Sequence, residues 1–86
     1  MHSPYIVELS EQNFRETLES STQTPVLIYF WAPMSQESSQ IIPELQSLAQ
    51  QYEGAFKLAL LNCEQEQMIA NQFGVQALPT LSLIHI

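Results

Sequence analysis

The sequence predicts an α/β fold in which one sheet carries helices on both faces. Short apolar runs typical of strands alternate along the chain with segments whose apolar residues recur every three or four positions, as on an amphipathic helix. The run Val26–Trp31 is apolar without alternation, which is the pattern of a strand covered on both faces. The predicted element order is β-α-β-α-β-α-β, and the 86 residues suffice for one small domain.

Each element has its own local signal. Ser10 follows the first strand and is a good helix cap, and Phe14 and Leu18 then lie four positions apart on one helix face. Gly54 and Gly74 close the second and third helices, because glycine adopts the left-handed stop without strain. Strands are predicted at residues 5–9, 26–31, 56–61 and 80–86, and helices at residues 11–20, 36–52 and 64–73.

The charge balance excludes several functions. Nine acidic groups against two basic ones give a formal net charge of −7, which opposes binding to nucleic acid and to anionic membrane surfaces. No apolar run reaches the roughly 20 residues of a spanning helix, and the first residues show no export signal. A single cysteine fits a reducing compartment, so we expect a cytoplasmic protein. Neither a metal nor a cofactor is expected, because the lone cysteine lacks partner ligands and two glycines cannot form a glycine-rich phosphate loop.

One segment carries the residues on which chemistry depends. The run Phe30-Trp31-Ala32-Pro33 leads to the four residues Ser35-Gln36-Glu37-Ser38 at the start of the long helix. Pro43 lies inside that helix, and Leu78-Pro79-Thr80 precedes the last strand. In these features the chain resembles the thioredoxin family over nearly its whole length. The resemblance implies a Cys-Gly-Pro-Cys motif where this chain has serine at both cysteine positions, Ser35 and Ser38.

The two serines remove the chemistry that the motif supplies in active members. A serine hydroxyl forms no disulfide, and it needs an adjacent base to act as a nucleophile. The only histidines lie near the chain ends, and the sequence has no aspartate. The resemblance also implies a buried aspartate where this chain has Tyr29, and a lysine where it has Leu60. We therefore expect Ser35 to act as a helix cap and the domain not to be an enzyme.

The resemblance further implies a groove that binds an extended polypeptide beside the motif. The matching residues are Trp31, Pro33, Met34, Leu78 and Pro79. A flexible thioether at Met34 suits contact with varied apolar side chains, whereas Leu78 is equally explained by core packing. A cis peptide bond at Pro79 is expected from the resemblance alone, since most X-Pro bonds in folded proteins are trans.

Cys63 has two interpretations. A free cysteine is most often a small buried apolar residue, and this is the simpler one. The other is a reactive thiol that forms mixed disulfides, which calls for a low thiol pKa and an exposed sulfur. Against the second interpretation, Glu64 next to it should raise the thiol pKa, and Lys57 is six positions away.

Within the family, the segment from Cys63 to Gly74 resembles the N-terminal domain of the chaperedoxin type. That resemblance implies a holdase chaperone that protects unfolded client polypeptides under oxidative stress and passes them to the chaperonin and to DnaK-type chaperones. It also implies that residues 1–86 form one incomplete thioredoxin-like domain, truncated before a last strand and C-terminal helix. The alternatives are a thiol oxidoreductase acting through Cys63 alone and a passive module that positions another domain.

Overall fold

The computed structural model describes residues 5–75, 77–78 and 80–84. It contains four strands and three helices in the predicted alternating order, which confirms the fold class. The elements are β1 (Ile6–Glu8), α1 (Phe14–Ser20), β2 (Val26–Trp31), α2 (Gln36–Gln51), β3 (Lys57–Asn62), α3 (Gln67–Gln72) and β4 (Thr80–Ile84).

The strands form one mixed sheet in the order β1-β3-β2-β4. β3 pairs in parallel with both β1 and β2, and β4 runs antiparallel to β2. In register, Trp31 at the end of β2 lies beside Asn62 at the end of β3. The carboxyl ends of the two central strands, and the loops that follow them, therefore meet at one edge of the sheet.

β2 is buried on both faces, as its unbroken apolar run predicts. Val26, Ile28 and Phe30 face the core that α1 and α3 cover, where Phe73 packs against Phe30 with ring centroids 5.4 Å apart. Leu27 and Tyr29 alternate onto the opposite face and pack under α2. The sheet thus separates two apolar layers, one covered by α1 and α3 and the other by α2.

Two helices begin later than predicted, because asparagine side chains hold the preceding turns. Asn13 accepts a hydrogen bond from the backbone N–H of Ser10 at 2.7 Å and donates one to the carbonyl of Glu8, so α1 starts only at Phe14. The Asn62 side chain accepts hydrogen bonds from the N–H groups of Glu64 and Gln65, which delays α3 to Gln67. Such local turns compete with helix formation.

Membrane insertion finds no support in these elements. None of the helices in the described residues combines the length and the apolar character that crossing a bilayer requires.

Candidate functional site

The start of α2 carries the four-residue motif. Ser35 has extended backbone angles, and its hydroxyl accepts a hydrogen bond from the N–H of Ser38 at 3.4 Å, so it caps the helix as predicted. Ser38 itself is completely buried. Its hydroxyl accepts a hydrogen bond from the Ala32 N–H at 3.2 Å and donates one of 2.8 Å to the Ser35 carbonyl oxygen. Ser38, the second serine of the motif, therefore connects the loop before α2 to the first turn of the helix.

Tyr29 stabilises this connection from the central strand. Its phenolic hydroxyl donates a hydrogen bond of 2.8 Å to the carbonyl oxygen of Ser38. Burial raises the pKa of the Tyr29 phenol above its ordinary value, so the group stays neutral. Leu60 is buried in the same apolar layer. Neither of these two positions can accept or supply a proton near neutral pH.

An apolar cavity of about 450 Å³ opens beside the motif. Met34 and Ser35 form one of its walls, Cys63 lies on the β3 side, and Leu78 comes from the segment before β4. Residues of α3 and the loop after it complete the lining, namely Gln67, Ala70, Asn71, Val75 and Ala77. This cavity is called the Cys63 groove below.

Cys63 has features of both interpretations that the sequence left open. It is half-buried and packs against the core under α3, yet it also lines the groove. Its backbone N–H donates a 2.8 Å hydrogen bond to the Trp31 carbonyl, which fixes the residue at the end of β3. Burial raises the pKa of the thiol, and a hydrogen bond with the backbone of Trp31 offsets part of that rise. The direction of the pKa shift is the expected one, but its cause is burial rather than the expected effect of Glu64.

Trp31 does not line the Cys63 groove. It packs in the α2 layer and lines a second cavity of about 420 Å³, with Glu8, Ser10, Asn62 and Glu66 among its other lining residues. The reason is strand alternation: Trp31 shares the face of Tyr29, whereas the Cys63 groove opens on the side of α3.

The remaining predicted site residues lie around the groove or outside the described part of the chain. Met34 is 82% exposed, and its neighbour Pro33 is exposed as well. Gln36 and Glu37 are exposed in the first turn of α2. Leu78 packs against the core, which confirms that interpretation, and it also lines the groove, where its contact with a polypeptide stays a prediction. Pro79, with its expected cis bond, lies outside the described residues.

Glu64 is a residue that the sequence analysis considered only for its effect on the thiol. Its carboxylate oxygen Oε2 accepts a 3.1 Å hydrogen bond from the backbone N–H of Met34. The contact joins the loop after β3 to the loop before α2. A contact across 30 sequence positions has no local sequence signal, so only the fold reveals it.

Metal binding has no arrangement to support it among the described residues. No group of three or more histidine, cysteine or acidic side chains in this part of the chain is placed to hold an ion.

Comparison with known proteins identifies the family. Residues 5–85 match the protein family described as Thioredoxin. The chain belongs to the thioredoxin family. Thioredoxin 1 of Nostoc sp. is 32% identical over 76 residues, which are 88% of this chain and 70% of that protein. The thioredoxin of Haemophilus influenzae is 33% identical over 79 residues, 92% of this chain and 73% of that protein.

A similar domain also occurs within a longer chain. An uncharacterized protein of Mycobacterium tuberculosis is 34% identical over 77 residues, which are 88% of this chain and only 25% of that protein. Its name, like those of the two thioredoxins, says nothing of a chaperone.

The expectation that the domain is not an enzyme is wrong. It rested on the serines of the motif, on the missing histidine and aspartate partners and on Tyr29 and Leu60, whereas the family and its thioredoxin relatives, which extend over most of the chain, indicate an oxidoreductase. The physical reason for the error is that the motif was taken to decide the chemistry, and a thiol outside it was kept only as an alternative. In the structure, Cys63 lines the same groove as the motif residue Ser35.

Proposed function

We propose that this thioredoxin-family domain is a thiol oxidoreductase that acts through Cys63 on a polypeptide held in the Cys63 groove. The observation that carries the proposal is the common lining of that groove by Cys63, by Met34 and Ser35 beside the motif, and by Leu78 before β4. A thiol there lies next to whatever polypeptide the groove binds. An exposed thioether at Met34 adds adaptable apolar contact at the rim.

The exchange step follows from thiol chemistry. The Cys63 thiolate attacks one sulfur of a client disulfide, the client S–S bond breaks, and a new S–S bond joins Cys63 to the client. The second client sulfur leaves as a thiolate and takes a proton from water. Because the 86 residues contain no second cysteine, release requires an external low-molecular-weight thiol, whose thiolate attacks the client sulfur and frees Cys63. Such a cycle fits a reducing compartment such as the cytoplasm.

The raised thiol pKa determines how fast the mixed disulfide forms and how long it persists. At neutral pH only a small fraction of Cys63 is thiolate, so attack is slow. Each thiolate that forms is more nucleophilic than one of lower pKa, and it is also a poorer leaving group. We therefore infer that the mixed disulfide, once formed, persists. The domain forms the mixed disulfide with a client more readily than an external thiol releases Cys63 from it.

A peptide disulfide and mass spectrometry test the proposal. We expect one adduct on the wild-type chain, none on Cys63→Ser, and about tenfold slower adduct formation on Met34→Gln, because apolar contact with the peptide is lost. Met68→Gln is the matched control, since Met68 is 67% exposed on α3 and does not line the groove. Reaction with a small neutral disulfide should be the same in both methionine variants. Absence of any adduct on the wild-type chain at alkaline pH would refute the proposal.

A second candidate is the holdase role of the chaperedoxin type. It is favoured by exposed apolar side chains at the groove rim and on β4, namely Met34, Leu81 and Leu83. Transfer of clients to the chaperonin or to DnaK-type chaperones rests on the resemblance alone. Light scattering of a denaturing client decides this candidate: if an equimolar amount of the chain leaves aggregation unchanged, the holdase role is excluded.

A further inference from the structure

The Glu64 carboxylate lies at the edge of the Cys63 groove in a fixed position. It follows Cys63 directly in sequence, and its Oε2 atom is held by the Met34 N–H at 3.1 Å. Cys63 and Met34 both line the groove. Glu64 therefore carries a negative charge on the residue next to the thiol, and its carboxylate is hydrogen-bonded to a residue of the groove rim.

No cation of the described residues lies close to the groove. No charged side chain lines the groove itself among the described residues. Glu8 and Glu66 line the second cavity. Of the two cations in the sequence, Lys57 begins β3, and Cys63 follows the end of that strand, so about 20 Å separates them. Arg15 is exposed on α1 and lines neither cavity.

Three amides at the start of α2, which could otherwise attract an anion, already donate to acceptors of the chain itself. The Met34 N–H donates to Glu64, the Ser35 N–H to the Ala32 carbonyl at 3.0 Å, and the Ser38 N–H to the Ser35 hydroxyl. The negative charge of Glu37 in the first turn also offsets the positive end of the helix dipole, which weakens the attraction for an anion. An anionic substrate finds no compensating donor among these three amides.

We propose that Glu64 is a specificity-determining residue that makes the Cys63 groove select disulfides with cationic flanking groups over anionic ones. This inference rests on the proposed exchange at Cys63 and names its substrate class. The Glu64 carboxylate attracts a cationic group next to the sulfur under attack and repels an anionic one. Its bond to Met34 makes it a positioning residue as well, because the bond holds the groove rim.

Three small disulfides of one scaffold test the charge selection. The probes are bis(2-hydroxyethyl) disulfide and its analogues with quaternary ammonium or sulfonate end groups, whose charges do not change with pH. The measured quantity is the rate of adduct formation at Cys63. Each rate is divided by that of a free cysteine peptide, so that differences in leaving-group strength cancel. Two unit charges about 6 Å apart in water change such a rate by about threefold, so we expect a cation-to-anion preference of about tenfold.

Substitutions separate the charge from the hydrogen bond. Glu64→Gln keeps an acceptor oxygen for Met34 and removes the charge, so the preference should fall by about tenfold. Glu64→Ala also removes the acceptor and should speed amide hydrogen exchange at Met34. Glu19→Gln is the matched control: it makes the same change in net charge at the end of α1, far from the carboxyl ends of β2 and β3. It should leave the preference unchanged.

The wild-type chain provides an independent measurement if a variant fails to fold. Raising the ionic strength from about 0.01 M to about 1 M shortens the Debye length from about 30 Å to about 3 Å and should reduce the preference. If the wild-type chain reacts with all three probes at equal, salt-independent normalised rates, the inference about Glu64 is wrong while the exchange at Cys63 stands. If it reacts with none of them, the proposed function itself fails.

Discussion

The Tyr29 hydroxyl donates a 2.8 Å hydrogen bond to the carbonyl oxygen of Ser38, joining the central strand to the first turn of α2. Thioredoxin resemblance implies an aspartate at the first of these positions and a cysteine at the second. The two substitutions therefore meet at one contact, in which a neutral donor satisfies a buried carbonyl. Ser38 extends the contact through its own hydroxyl to Ala32. The motif region thus has a hydrogen-bonded interior that needs no ionised group.

Removing the Tyr29 hydroxyl should destabilise the fold. In Tyr29→Phe, the Ser38 carbonyl loses its side-chain donor in a buried place, and we expect the free energy of unfolding to fall by about 1–3 kcal/mol. Urea denaturation measures the change. Tyr52→Phe is the control, because Tyr52 is 57% exposed and the same change there should lie within about 0.5 kcal/mol of wild type. Equal stability of the two variants would show that the bond contributes nothing.

The sequence determines the layer architecture because apolar periodicity is a local property. The unbroken run in β2 predicted its two buried faces, and Ser35 predicted the start of α2. Helix starts held by Asn13 and Asn62 were misplaced by about three residues, because a side chain that bonds a nearby backbone group has the same sequence pattern as a first helical turn. The signal that could have located them is an asparagine at a strand end or in the loop between a strand and a helix.

The candidate site is less predictable from sequence than the fold, since it depends on contacts between distant loops. Trp31 and Met34 are three positions apart, yet they line different cavities. Glu64 and Met34 are 30 positions apart and share a hydrogen bond. Strand alternation could have separated Trp31 from the groove, whereas nothing local links Glu64 to Met34.

The turn that ends α2 should tolerate substitution poorly. Gly54 has φ +89°, and a Cβ atom there would lie 3.0 Å from the Tyr5 ring carbon Cε1. Gly54→Ala therefore combines an unfavourable left-handed backbone with a tight contact that the Tyr5 ring would have to relieve by shifting. Gly74→Ala is the control, because Gly74 has φ +70° and nothing within 4 Å of such a Cβ. It should cost only the backbone term of about 1–2 kcal/mol, and Gly54→Ala should cost more in thermal or urea unfolding. An equal cost for both variants would contradict the predicted tight contact.

The reactivity of Cys63 should rise steeply with pH. Burial raises the thiol pKa, so alkylation by iodoacetamide should be slow at neutral pH and still increase above the ordinary thiol value of about 8.5. A rate that reaches its plateau below about pH 8 would show that the thiol is not desolvated. An unstructured peptide with one cysteine is the reference for the intrinsic pH profile.

The same pKa shift predicts a pH-dependent stability. Because the folded-state pKa of Cys63 is raised, the unfolded chain ionises first, so the neutral thiol favours folding fully below the unfolded pKa. This contribution is lost as the pH rises from about 8.5 through the folded-state pKa. Relative to Cys63→Ser, the wild-type chain should therefore lose stability between neutral and alkaline pH. A pH-independent difference between the two chains would contradict the shift.

Restoring the motif cysteines should produce a disulfide without restoring a fast reductase. In a Ser35→Cys, Ser38→Cys variant the two side chains begin one helical turn apart, and the helix start favours a thiolate at the first. The second thiol is buried and needs a base to be deprotonated, yet Tyr29 is neutral and Leu60 is apolar. A general base contributes about 10²–10⁴ in rate, so insulin reduction with dithiothreitol should run at least about a hundredfold slower than with an active thioredoxin. Adding Tyr29→Asp supplies a carboxylate below the second thiol and should recover part of that rate. If the double variant already matches an active thioredoxin, the proton-transfer argument fails; if it is slow and the added aspartate changes nothing, the limiting step lies in polypeptide binding.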